Sequence, residues 1–202
     1  MTKYTALGSP TQVVRKCHEC GGKFVGKRQS YKYEECGLTN VRLSNILVFE
    51  CSCGVRVPEI PSISELHCLI ALDLLRKPSL LVGEEVRFLR KMAGLSQREL
   101  AELMGVTPTR PSKWENAAPS KEGDRLLRTI CLLGMIQNMD GDKGITLIQK
   151  LAADMREVLK TIKYEEEQGP KKLECENDPT AGMEHGGWFL PSLGEHRLAI
   201  AN

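Results

Sequence analysis

Residues 83–116 read GEEVRFLRKMAGLSQRELAELMGVTPTRPSKWEN, and no other stretch restricts the fold as tightly. Three short helical patterns follow one another with almost no loop between them. The first, Glu84 to Met92, places Val86, Phe88 and Leu89 on an apolar face, and Gly94 ends it. The second opens at Ser96. Its hydroxyl can accept the amide of Glu99 while the Glu99 carboxylate reaches back, the S-x-x-E capping box. Leu100 and Leu103 are expected on one face, with Ala101 small enough for another helix to approach; Gly105 stops the helix and Val106 plugs the turn. Thr107 then reads as an N-cap with Pro108 at the first helical position, where proline is best tolerated. The third helix runs to about Asn116 and carries Arg110, Ser112, Lys113 and Trp114.

Two helices joined by a turn of about four residues containing glycine form a helix-turn-helix, an arrangement that offers its second helix to the DNA major groove. The run L-S-Q-R-E-L-A-E-L-M-G-V-T followed by S-K-W-E-N resembles the helix-turn-helix of Xre/Cro repressors. Pro111 departs from that class, which has an aliphatic or aromatic residue buried there. As a fourth helical residue it removes a hydrogen bond and crowds the carbonyl of Thr107. Either the first turn is distorted or the helix starts later, near Pro111 itself.

With 41% hydrophobic and 27% charged residues over 202 positions, the chain suits one or two modest globular domains. A net charge of +2 permits nucleic-acid binding without arguing for it, so the case rests on the motif. No apolar run approaches membrane-spanning length and the first ten residues lack a signal-peptide core, so a cytoplasmic location is expected, with no membrane partner.

Four of the eight cysteines form two close pairs, Cys17-x-x-Cys20-Gly21 and Cys51-x-Cys53-Gly54. Such turns put two thiolates on one side of a tight loop, and two of them brought together make a tetrahedral sulfur site that suits zinc. The ligand set read here is Cys17, Cys20, Cys51 and Cys53, holding one structural zinc per chain; Cys36 and His18 are the alternative ligands. Strands are expected around Lys27 to Glu34, Val41 to Glu50 and Val55 to Ile60, which gives a ribbon too small to fold on its own core. A redox role for Cys17-x-x-Cys20 fails on context, because no strand–helix unit sets Cys17 at a helix N-terminus. Cys68, Cys131 and Cys175 read as free thiols.

After Pro61, Ser62 and Glu65 repeat the capping-box spacing, and a helix through Leu66, Leu69, Ile70 and Leu74 stops before Pro78. A cysteine ribbon, a helix and an Xre-type helix-turn-helix in that order resemble the MqsA antitoxin family, the YgiT-type zinc finger proteins. The likeness includes Tyr33-Glu34-Glu35-Cys36-Gly37-Leu38 and the stretch IPSISELHCLIALDLLRKP, and spans roughly residues 15 to 130. It implies an N-terminal zinc domain, a C-terminal DNA-binding domain that also dimerises, and repression of the protein's own operon. In toxin-paired members the zinc domain binds the toxin, which makes a cognate toxin a further partner. In that family, positions 109 and 113 read bases, usually as Asn and Arg. Here they are Thr109 and Lys113, so the operator is expected to differ.

Beyond the motif, Ser120 caps a helix to about Met139, with Leu126, Leu127, Ile130 and Leu133 expected to pack on the helix-turn-helix. Asp140 to Gly144 is a loop without the later glutamate of an EF-hand. Residues 145–166 repeat apolar side chains at helical spacing, from Ile148 and Leu151 to Leu159 and Ile162, as a packed face or a dimer seam. Residues 168–202 turn to glycine, proline and mixed charge and read as a flexible or loosely docked tail, with Trp188-Phe189-Leu190 a lone apolar patch.

The fold class expected is α+β: a β zinc ribbon (1–61), a connector helix (62–82), an all-α helix-turn-helix domain (83–139), a long amphipathic helix (140–167) and a tail (168–202). The function expected is a dimeric, zinc-stabilised repressor that binds double-stranded operator DNA. Thr109, Arg110 and Lys113 would contact bases, and Ser96, Gln97 and Ser112 would contact phosphates. The rival is a protein-interaction module acting through the ribbon. No nucleophile–base pair, phosphate loop or open metal site points to an enzyme.

Overall fold

A computed structural model describes residues 13–138, 173–178 and 187–189. Its elements are β1 (Val13–Lys16), β2 (Lys23–Lys32), β3 (Val41–Cys51), β4 (Arg56–Glu59), α1 (Ile63–Leu75), α2 (Gly83–Met92), α3 (Gln97–Met104), α4 (Arg110–Asn116), α5 (Lys121–Gln137), β5 (Leu173–Asp178) and β6 (Gly187–Phe189). The fold is mixed: a mostly antiparallel sheet, then helices. Residues 145–166, expected as a long helix, lie outside the described residues, as do the 140–144 loop and Leu190.

The sheet runs β1-β2-β3-β5-β6, with β4 also on β3. β3 is the spine. One edge pairs antiparallel with β2 along nearly its whole length, with a bulge where Gln29↔Ile46 gives way to Tyr31↔Leu43. There β3 carries one extra residue, and Asn45 takes a left-handed φ of 58°. The other edge of β3 is divided at this bulge. Residues Leu47 to Glu50 pair antiparallel with β4, and Val41 to Ser44 pair parallel with β5. Asn45 itself holds the newcomer, donating from Nδ2 to the carbonyl of Asn177 at 3.0 Å.

Within the tail expected to be flexible or loosely docked, residues 173–178 are docked as a strand of this sheet. Leu173, Cys175 and Asn177 alternate inward and are buried, while Glu174 and Glu176 face out. This is the period of two of a half-buried strand. Nothing local announces its partner, which lies far back in the chain.

α1 is apolar on nearly all sides, and from Leu66 to Leu75 only His67 is not buried. A helix of that kind must be covered all round. Leu38 of the β2–β3 loop and the strand residues Val41, Leu43, Ile46 and Val48 share its core, and Val86, Phe88, Leu89, Leu100 and Leu127 belong to the same core. α1 is thus the middle layer of one continuous core. The expected capping box at its start does not form. Ser62 has φ 43° and makes no side-chain cap. The serines that do cap helices here, Ser96 and Ser120, are extended instead, and Glu65 is half-buried, its carboxyl pushed up by burial.

At the other end of α1 an arginine from α5 replaces a glycine cap. The fully buried Arg128 donates from Nη1 to the carbonyls of Leu75 (2.9 Å) and Lys77 (2.7 Å) and from Nη2 to that of Ser79 (2.7 Å). Asp124 balances its charge at 2.9 Å and also accepts the amide of Leu81. Next to it Lys77 and Glu85 pair at 2.9 Å, equally buried. Removing one partner from such a buried pair leaves an uncompensated charge and costs about 3–5 kcal/mol. These four residues fix the angle between α1 and the helices after it. The loop between β2 and β3 touches those helices directly as well, because Thr39 donates from N and Oγ1 to the Glu84 carboxylate.

Candidate metal centre and nucleic-acid interface

The two cysteine turns close in the same way, one a residue shorter than the other. Cys17 donates its amide to Gly22 and accepts from Gly21; Cys51 donates to Val55 and accepts from Gly54. Gly21 (φ 72°) and Gly54 (φ 92°) take left-handed angles that side chains avoid. β2 and β3 bring the turns together, with Phe24 opposite Cys51 in the register. Beneath them lies a small separate core of Cys17, Phe24 and Phe49, over which Arg15 stacks at 4.4 Å.

The four sulfurs converge. Cys17 Sγ and Cys53 Sγ are 3.8 Å apart, Cys20 Sγ and Cys51 Sγ 3.4 Å, and all four lie within 4.8 Å of one another. A zinc–sulfur bond of about 2.3 Å implies a tetrahedron with sulfurs about 3.8 Å apart. The cysteines are free thiols, not disulfides. The thiols share their protons unequally: the backbone amide of Cys53 and the neighbouring thiols draw Cys51 down to about 6, while the same neighbours push Cys53 up to about 12 and raise Cys20. The donor set thus fits a soft, four-coordinate structural metal, and the shorter C-x-C turn reaches it. Neither alternative ligand joins. His18 is exposed beside Glu19, and the half-buried Cys36 donates to the carbonyl of Tyr33. Cys68, Cys131 and Cys175 are buried free thiols, with burial pushing them up to about 11, 12 and 12.

The helix-turn-helix is built largely as its sequence dictates. Ser96 accepts the amide of Glu99 at 3.1 Å, and Glu99 accepts that of Ser96 at 2.7 Å. Gly105 ends α3 at φ 64°. The packed face of α3 is Leu100, Ala101 and Met104; Leu103, expected there, is 60% exposed. Likewise Leu127 is buried on α5 and Ile130 partly so, but Leu126 and Leu133 point outward at 43% and 55% exposure. In both helices the packed stripe is narrower than the apolar composition suggests.

Pro111 decides where the recognition helix begins. Thr107 is not the N-cap; the helix starts at Arg110, after Thr109. Pro111 falls in the first turn, where backbone amides have no intrahelical partner, so its missing N–H is harmless. Its ring is buried with Trp114 and Glu115 and fills the aliphatic position of the class. With the inner face so fixed, Thr109, Arg110 and Lys113 all stand exposed, Arg110 with its guanidinium 6.0 Å from the Trp114 ring. Ser96 is exposed; Gln97 and Ser112 are half-buried.

Glu115, which carries no expected role in the sequence, joins three helices. Its side chain is 2% exposed. It accepts from Arg90 Nε at 2.6 Å, Gln97 Nε2 at 3.0 Å and Arg87 Nε at 3.1 Å. Burial pushes its carboxyl up, but these donors outweigh that and hold it below the usual range. Gln97 therefore keeps only part of its amide for a phosphate. The signal available in the sequence was the charge of Glu115 on an otherwise buried helix face.

A helix-turn-helix family matches residues 86–130, and this part of the chain is an Xre/Cro-type helix-turn-helix domain. The cysteine module carries no such match, and its likeness to YgiT-type zinc fingers stands on its motifs. No curated protein and no solved structure matches the chain.

Proposed function

We propose that the protein is a sequence-specific DNA-binding transcriptional repressor with a structural zinc, autoregulating its own operon as an MqsA-like antitoxin or a regulator derived from one. The observation that carries this is the recognition helix. Pro111, Trp114 and Glu115 are buried on one side of α4, and Thr109, Arg110 and Lys113 are exposed on the other. Arg and Lys favour guanine O6 and N7, and a threonine methyl suits thymine. The reading places the protein in the cytoplasm, without catalysis. It includes a homodimer, because half-sites one DNA turn apart need two recognition helices. The exposed Leu126 and Leu133 on α5 are available to such a contact. In the described residues no helix is long and apolar enough to cross a membrane.

The test is binding to a labelled fragment of the protein's own upstream DNA, at two salt concentrations, against random competitor. Binding that survives the competitor supports the repressor. Weak binding that salt erases on every sequence sinks it. Within that assay, Lys113→Ala is expected to lose about 1–3 kcal/mol at one base pair and to relax specificity there.

A further inference from the structure

We infer that Arg87, on α2, is a DNA-phosphate contact of this helix-turn-helix, and that the buried carboxylate of Glu115 positions it. This rests on the DNA-binding reading above and adds to it a residue outside the two motif helices.

Glu115 has more cations than it needs. Arg90 alone neutralises it: that side chain is 12% exposed, sits 2.6 Å from Oε1 and donates its Nη1 to the carbonyl of Leu95. Arg87 is the second guanidinium on the same carboxylate, and its side chain is 47% exposed. It is held only through Nε, at 3.1 Å from Oε2. Among the described residues both of its terminal nitrogens lack a hydrogen-bond partner and remain for a ligand. The group of one carboxylate and two guanidiniums is left with one net positive charge, on its solvent side.

The position of that charge follows from the shared acceptor. Gln97 donates to the same Oε2 at 3.0 Å. The heads of Arg87, from α2, and Gln97, from the first turn of α3, are therefore neighbours on the same carboxylate oxygen, and Ser96, next to Gln97 in the chain, is exposed. A guanidinium anchored at Nε and open at both Nη atoms presents the planar fork that suits a phosphate. An arginine serving only to pair Glu115 would be expected to turn in, as Arg90 does.

The test uses the full chain. Arg87→Gln keeps a donor for Glu115 and removes the charge. Affinity for upstream and random DNA is measured across a salt series, with thermal unfolding as a check on folding. The expected result is an equal weakening on both DNAs and a fall of about 0.9 in the slope of log K against log salt. An unchanged slope, with or without weaker binding, overturns the proposal and leaves the repressor reading intact. A wild-type chain that binds no DNA overturns both. Should Arg87→Gln unfold, Arg87→Met, which keeps the aliphatic stem and removes the charge, replaces it: the same fall of about 0.9 is expected, and a wild-type slope in a folded protein overturns the proposal.

Discussion

Glu115 shows how one side chain couples folding to acidity. Its carboxyl lies below the usual value in the folded protein, because Arg90, Gln97 and Arg87 together outweigh the effect of burial. A depressed carboxylate adds stability that is complete above its unfolded pKa, near the ordinary 4.5, and is lost as pH falls through the folded value. Melting temperature is therefore expected to drop as pH falls below about 4.5, and Glu115→Gln to flatten that part of the profile while lowering stability at neutral pH. A variant profile with the wild-type slope would remove Glu115 as the cause. The residue was present in the motif S-K-W-E-N, but its burial was not legible there. Its three donors come from positions 18 to 28 residues earlier, and only packing reveals them. Ser96 and Glu99, by contrast, were readable because both halves of their exchange lie within three residues.

At the scale of elements, α2 and α4 cross almost in backbone contact. A methyl group on Gly83 would lie 2.4 Å from the carbonyl oxygen of Glu115. Backbone cannot yield as a flexible side chain can, so Gly83→Ala is expected to destabilise by about 1–3 kcal/mol, read as a lower denaturation midpoint. A midpoint within error of wild type would show that the crossing is loose. The same scale shows where local patterns mislead. Ser62 and Glu65 have the spacing of a cap, yet spacing does not specify φ, and the left-handed Ser62 cancels it. Pro111 was ambiguous for the opposite reason. A proline breaks a helix or begins one according to where the first turn falls, and the start at Arg110 settles it.

For the whole molecule, the consequence of α1 is cooperativity. Sheet and helix-turn-helix share one core through this helix, and Thr39–Glu84 adds a direct tie. If the cysteine cluster holds zinc, removing it with a chelator takes away much of what orders the cysteine turns. The continuous core predicts that the helices then melt earlier, in one transition with the sheet. Two separate transitions, with the helical one unmoved, would show that the halves are independent. This unity was only partly legible: the apolar run of α1 is plain in the sequence, but not that it faces two layers at once.

The divided edge of β3 carries a consequence for the order in which the chain is made. Asn45 bonds to Asn177 across 132 positions, and β5 completes an edge whose own strand emerged from the ribosome long before. Until residue 178 has been synthesised, Val41 to Ser44 present unpaired backbone groups, and Leu43 and Val41 lack the cover of Leu173 and Cys175. An open apolar edge of that kind is the template on which chains pair wrongly with one another. Translation that stops between α5 and β5 would release a polypeptide with its helix-turn-helix encoded in full and its sheet still adhesive.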